Sequence, residues 1–123
     1  MSARKEQRKH KRFQAPKGLL VGIGPEFNKV GPLIDLSMTG LAFHYVGTKE
    51  EPPKGSYVDI FMTDGDFYLG NLPIKLITDV EVVDTDPYPP SSLRRCGVRF
   101  EKITPQQKAK LKDFIENHTV GEV

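Results

Sequence analysis

The sequence predicts a mainly β chain, an antiparallel barrel or sandwich, finished by one α-helix. Short runs of β-branched and aromatic residues recur through residues 19–103, separated by turn-forming stretches such as GPEFN, TKEEPPKGS, TDGD and DTDPYPPSS. Regular short spacing of that kind suits an all-β fold and not alternating strand and helix units. At Thr104 the pattern changes in kind, and a helix-start signature replaces the strand alternation. With 123 residues, 37% of them apolar, and no internal repeat, the chain is sized for one domain with one modest core.

The first residues, MSARKEQRKHKRF, form a basic arm. Residues 1–18 carry a net charge of +6 and the remainder carries −4, although the whole chain is only +2. Polar, highly charged and without a hydrophobic anchor before Phe13, residues 1–12 are expected to be a flexible arm. Such a run is either a solvated tail or the footprint of an anionic partner. The barrel is expected over residues 13–103, with strands at 19–23, 30–37, 40–46, 57–63, 67–77, 80–84 and 93–103. Pro32 and Pro73 each remove a ladder donor, so they belong at an edge, at a bulge or at the first residue of a strand. In CGVRF, residues 96–100, Cys96, Val98 and Phe100 share one face by period two, which makes Cys96 a small buried hydrophobe. Arg95, Gly97 and Arg99 take the other face, as an ordinary solvated surface or as the wall of a site. Thr104, Pro105 and Gln107 supply an N-cap, a first-turn proline and a capping-box partner, so a helix spans 104–119. Its stripe of Leu111, Phe114, Ile115 and His118 packs on the barrel, while Lys108, Lys110, Lys112 and Asp113 stay wet.

Several function classes drop out. No segment approaches the roughly 20 apolar residues a bilayer span needs, and no apolar run follows the N-terminal cations. A lone Cys96 forms no internal disulfide, so the chain is expected to be soluble, not secreted, and cytoplasmic. His10, His44 and His118 are not at metal-ligand spacing. Gly22-Ile23-Gly24 runs into Pro25 and opens no helix, so it is neither a dinucleotide fingerprint nor a P-loop. No catalytic constellation and no metal site is legible. The chain is expected not to be an enzyme and to need no cofactor.

The stretch IDLSMTGLAF, residues 34–43, breaks the apolar pattern. Strand alternation puts Asp35 and Ser37 on one face and Ile34 and Leu36 on the other. Gly40 then supplies a backbone free to take φ > 0 and open to a flat ligand. The plainer reading is that Asp35 or Ser37 only caps its own turn.

Arg8 and Arg12 frame RKHKR in the arm, with Phe13 as the anchor behind them. R-x-x-x-R, then D-x-S-x-x-G at 35–40, then a GVRF strand before a short helix, closely resembles the PilZ domain, a bacterial receptor family for cyclic di-GMP. The resemblance covers essentially the whole chain. It implies a six-stranded antiparallel β-barrel with a C-terminal helix, and a ligand site made of Arg8, Arg12, Asp35, Ser37 and Gly40. Cyclic di-GMP is then clamped between the arm and the D-x-S-x-x-G turn. Arginine's planar fork suits guanine O6 and N7, or a phosphate, in a way lysine's point charge does not. An acceptor-only carboxylate at Asp35 suits the guanine N1–H and N2–H edge. Gln7 stands where many members carry a further arginine that would help hold a stacked ligand dimer. Arg4 to Arg8 is a second register of the motif, but Phe13 favours Arg8 to Arg12. The resemblance also implies a stand-alone adaptor that signals to a protein effector, in motility, pilus or exopolysaccharide machinery. Two other readings stay open: a degenerate member that keeps the fold for protein contacts without nucleotide, and a small RNA- or single-stranded-DNA-binding barrel. The acidic remainder and the lack of an aromatic stacking row on any strand weigh against nucleic acid.

Overall fold

The computed structural model describes residues 11–47, 50, 52, 55–65, 67–82, 93–118 and 121–122. In chain order the elements are β1 (Phe13–Gln14), β2 (Leu19–Gly24), β3 (Val30–Leu36), β4 (Gly40–Val46), β5 (Tyr57–Met62), β6 (Tyr68–Glu81), β7 (Leu93–Phe100), α1 (Pro105–His118) and β8 (Gly121–Glu122). The strands are hydrogen-bonded in the order β2-β5-β6-β7-β4-β3, and β3 returns to β2, closing a six-stranded barrel. Every pairing is antiparallel. Closure removes the open sheet edge that would otherwise expose unpaired backbone groups. Among the described residues no helix is long and apolar enough to cross a membrane.

Alternation decides what the barrel encloses. On β7, Cys96, Val98 and Phe100 are buried, while Arg95 and Arg99 are exposed on the outer face. On β4, Leu41, Phe43 and Tyr45 point inward against them. Burial pushes the Cys96 thiol up to about 12, as an apolar surround disfavours the thiolate. Helix α1 covers one barrel end with Leu111, Phe114 and Ile115, and the Phe114 ring lies 4.5 Å from that of Phe67. Each such fully buried large side chain is worth about 1.5–3 kcal/mol of apolar burial. The capping box forms as its residue types require: Thr104 N donates to Gln107 Oε1 at 2.9 Å and Gln107 N to Thr104 Oγ1 at 3.0 Å. Gln107 Nε2 also donates to the carbonyls of Gly70 and Asn71, fastening the helix start to β6.

Three strand expectations change. The two strands expected at 67–77 and 80–84 are one strand of 14 residues, Tyr68–Glu81, with a register shift between Leu76 and Thr78, and residues 83–84 lie outside the described residues. The last strand stops at Phe100, not at residue 103. Pro32 and Pro73 lie inside strands of a closed barrel, yet each falls where a ladder ends. Pro32 is the last β2–β3 pair, and Pro73 sits just past Ile74↔Phe100, the last β6–β7 pair. The missing donor is therefore not needed.

The sequence did not foretell a buried ionic cluster at the far end of β4, β6 and β7. Lys29 and Asp79 are 4% and 7% exposed. Lys29 Nζ donates to Asp79 Oδ2 at 3.3 Å and to Tyr45 Oη at 3.2 Å, Tyr45 Oη donates to Asp79 Oδ2 at 2.5 Å, and Arg94 Nε donates to Asp79 Oδ1 at 2.6 Å. Burial by itself would raise the Asp79 carboxyl; the hydrogen bonds from Tyr45, Arg94 and Lys29 outweigh it and hold the carboxyl below its ordinary value. Burial, with Asp79 beside it, pushes the Tyr45 phenol far up, so it stays a donor. Arg94 thus faces inward and pins the start of β7, which sends its neighbour Arg95 outward.

Candidate functional site

The site begins with a bulge. Leu33 pairs with Phe43 and Asp35 with Ala42, so Ile34 is the extra residue on β3. Strict alternation is corrected here: Leu33 and Leu36 are the inward pair, Ile34 is only half-buried, and Asp35 turns outward. The carbonyl of Ile34 accepts from Ala15 N at 3.1 Å, and β1 docks beside it with Phe13↔Leu36 and Gln14↔Asp35. Phe13 packs against the core, as its anchor role required. Alternation then carries the preceding residue, Arg12, onto the outer face.

There Arg12 Nη1 donates to Asp35 Oδ1 at 2.7 Å, with side-chain exposures of 33% and 11%. This charge-assisted bond ties Arg12, the last residue of the expected arm, to the barrel. Arg8, Gln7, Arg4 and the rest of residues 1–10 lie outside the described residues. From the other side Arg95 Nη2 approaches Asp35 Oδ2 at 3.5 Å. It reaches across because the row between them, Ala42 paired with Gly97, carries almost no side chain. Arg95 is thus in contact with Asp35 although nearly half of its side chain is exposed. His44, paired with Arg95, is held below its usual value by partial burial and then by that guanidinium.

Ser37 and Gly40 are placed differently from Asp35. Ser37 is 1% exposed, and its Oγ accepts from Thr39 N at 3.1 Å and Gly40 N at 3.2 Å and donates to the Gly40 carbonyl at 3.3 Å. The hydroxyl serves its own turn, the plainer of the two readings. Gly40 does not take a positive φ, which corrects the reason expected for it. A Cβ there would lie 2.2 Å from the Val98 carbonyl oxygen, so glycine is required by the close approach of β4 to β7.

The turn is also tied to the end of β7, where Phe100 N donates to the Thr39 carbonyl at 2.8 Å. Between the turn, the linker after β7 and the first turns of α1 opens a cleft of about 650 Å³. Arg12, Ser37 and Thr39 line it together with Arg99, Lys102 and Lys108. Period two on β7 singled out Arg99 in the sequence. Lys102 and Lys108 had no comparable signal, since a linker and a helix meet the turn only through packing. Among the described residues no group of three or more His, Cys, Asp or Glu could hold a metal ion. The arrangement is a carboxylate between two guanidiniums, one of which, Arg12, also lines a cleft rich in cations.

The family model of the PilZ domain matches residues 4–117, a span that includes both arginines of the arm motif and the helix. No curated protein matches the chain. Among solved structures the chain is similar to YcgR from Escherichia coli in complex with c-di-GMP, with a TM-score of 0.65 and 19% identity over 89% of this chain and 45% of that one. It is similar to the PilZ domain of E. coli YcgR with c-di-GMP, at 0.60 and 20% over 91% of each. A third likeness, at 0.57 and 11% over 89% and 50%, is to MrkH, described as a c-di-GMP-dependent transcription regulatory factor. The chain thus spans about half the length of the YcgR and MrkH chains. At such identities these likenesses establish the barrel fold, and together with the family match over residues 4–117 they lead to one conclusion: the chain belongs to the PilZ domain family.

Proposed function

We propose that this PilZ-domain chain is a receptor for cyclic di-GMP, bound between the basic arm and the D-x-S-x-x-G turn, and that it acts as an adaptor toward a protein effector. The observation that carries this reading is the junction of Arg12 with Asp35, 23 positions apart in sequence and 2.7 Å apart in space, at the mouth of a cationic cleft. Asp35 accepts one guanidinium on each oxygen, and a carboxylate oxygen has a second lone pair to offer guanine N1–H and N2–H. Arg12 engages Asp35 through Nη1, which leaves the rest of its fork to address a base edge or a phosphate. No catalytic step is assigned.

A second reading, a PilZ-type module for protein contacts that binds no nucleotide, is favoured by Ser37 and Gly40, whose roles in the turn are satisfied without any ligand. Calorimetric titration separates the two. Cyclic di-GMP should bind the parent, cyclic di-AMP and RNA oligomers should bind far less, and Arg12→Ala should lose about 1.5–3 kcal/mol, roughly 10- to 150-fold. No heat and no shift in melting temperature with cyclic di-GMP would support the nucleotide-free module instead.

A further inference from the structure

Two carboxylates of this fold each hold two cations. Lys29 and Arg94 share Asp79, and Arg12 and Arg95 share Asp35. Among the described residues no ion pair engages Arg99, Lys102 or Lys108, yet all three line the cleft, with Glu101 the carboxylate among the described lining residues. A recess of about 340 Å³ continues the same surface past Arg99 and Lys102 to Lys75. The start of α1, which borders the cleft through Lys108, has no acidic residue in its first turn to offset the positive end of the helix dipole. Although the chain outside the arm is net negative, four cations against Glu101 line this one concavity, a local excess of positive charge that favours an anion.

We infer that Arg99, Lys102 and Lys108 form an anion-binding wall that takes the phosphodiester groups of the bound dinucleotide, while Asp35 and Arg12 take its guanine. The inference rests on the proposed receptor function and adds residues outside the R-x-x-x-R and D-x-S-x-x-G motifs. It divides the labour chemically. Base recognition needs directional acceptors and a planar fork, which the motif side supplies, whereas a phosphodiester asks only for positive charge within reach, which lysine supplies on a flexible stem. It also places the ligand against α1, so that occupancy is felt by the helix that closes the barrel end.

The test is calorimetric titration of cyclic di-GMP into the parent, Lys102→Ala, Lys108→Ala and the double variant, at low and at high salt. Each single variant should lose about five- to tenfold in affinity at low salt, the double variant more, and the differences should shrink as salt rises. Lys112→Ala, on the same helix but off the cleft, is the control and should bind as the parent does. Thermal unfolding without ligand should be unchanged in all of them, since the replaced side chains are exposed. If both lysine variants bind as the parent does while Asp35→Ala and Arg12→Ala lose affinity, the wall is overturned and the receptor function stands. If the parent itself fails to bind cyclic di-GMP at either salt, the receptor function falls and the wall with it.

Discussion

Replacing Ser37 by alanine removes a buried oxygen that accepts two backbone N–H groups of its turn. The expected cost is about 2 kcal/mol of folding stability, because the orphaned donors pay their full desolvation. Asp35→Ala behaves in the opposite sense. Its partners Arg12 and Arg95 are a third and nearly half exposed, so water takes over their solvation and the stability change should stay within about 1 kcal/mol. Affinity for cyclic di-GMP should fall by about 2 kcal/mol, roughly 30-fold, with discrimination against cyclic di-AMP eroded, since the adenine analogue lacks the N2 amino group and the N1 donor. Denaturant unfolding and calorimetry on the two variants check the contrast. A large stability loss with unchanged affinity in Asp35→Ala would make Asp35 a structural residue like Ser37. The sequence could not separate these two side chains, because both are turn formers and only the hydrogen-bond geometry shows which one is spent on its own backbone.

Between elements, the cluster of Lys29, Tyr45, Asp79 and Arg94 joins β4, β6 and β7 and the start of β3. The Asp79 carboxyl lies below its ordinary value of 3.8, so its contribution to stability is full above that value and is lost as pH falls through the lower folded one. Denaturant unfolding at a series of pH values should therefore show a loss below about pH 4 that is smaller in Asp79→Asn, a variant already destabilised at neutral pH because it leaves Lys29 buried without its counter-charge. An identical acid slope in both proteins would mean that Asp79 is not the titrating group. At the helix, Thr104→Ala should cost about 1 kcal/mol through the lost cap. Phe114→Ala should cost about 3–5 kcal/mol, because it opens a cavity against Phe67. The cap was legible in the sequence because it is a local pattern of residue types. The ionic cluster was not, since Lys29 and Asp79 lie 50 positions apart and nothing local distinguishes them from surface charges.

For the molecule as a whole, the barrel's closure brings the arm's root, the turn after β3, the end of β7 and the first turn of α1 to one place. If cyclic di-GMP bridges Arg8 and Arg12 to Asp35, tryptic cleavage after Lys9 and Arg12 should slow when ligand is added. Equal rates with and without ligand would rule out the clamp. The sequence alone was enough for the strand-rich class, the helix start at Thr104 and the inward face of β7, because alternation and capping are properties of neighbours along the chain. The bulge at Ile34, the reason for glycine at position 40, the approach of Arg95 to Asp35 and the gathering of Lys102 and Lys108 at the cleft were decided only by tertiary structure. Each depends on which strand or helix lies alongside, and that is set by barrel register and closure, where residues far apart in sequence share one surface.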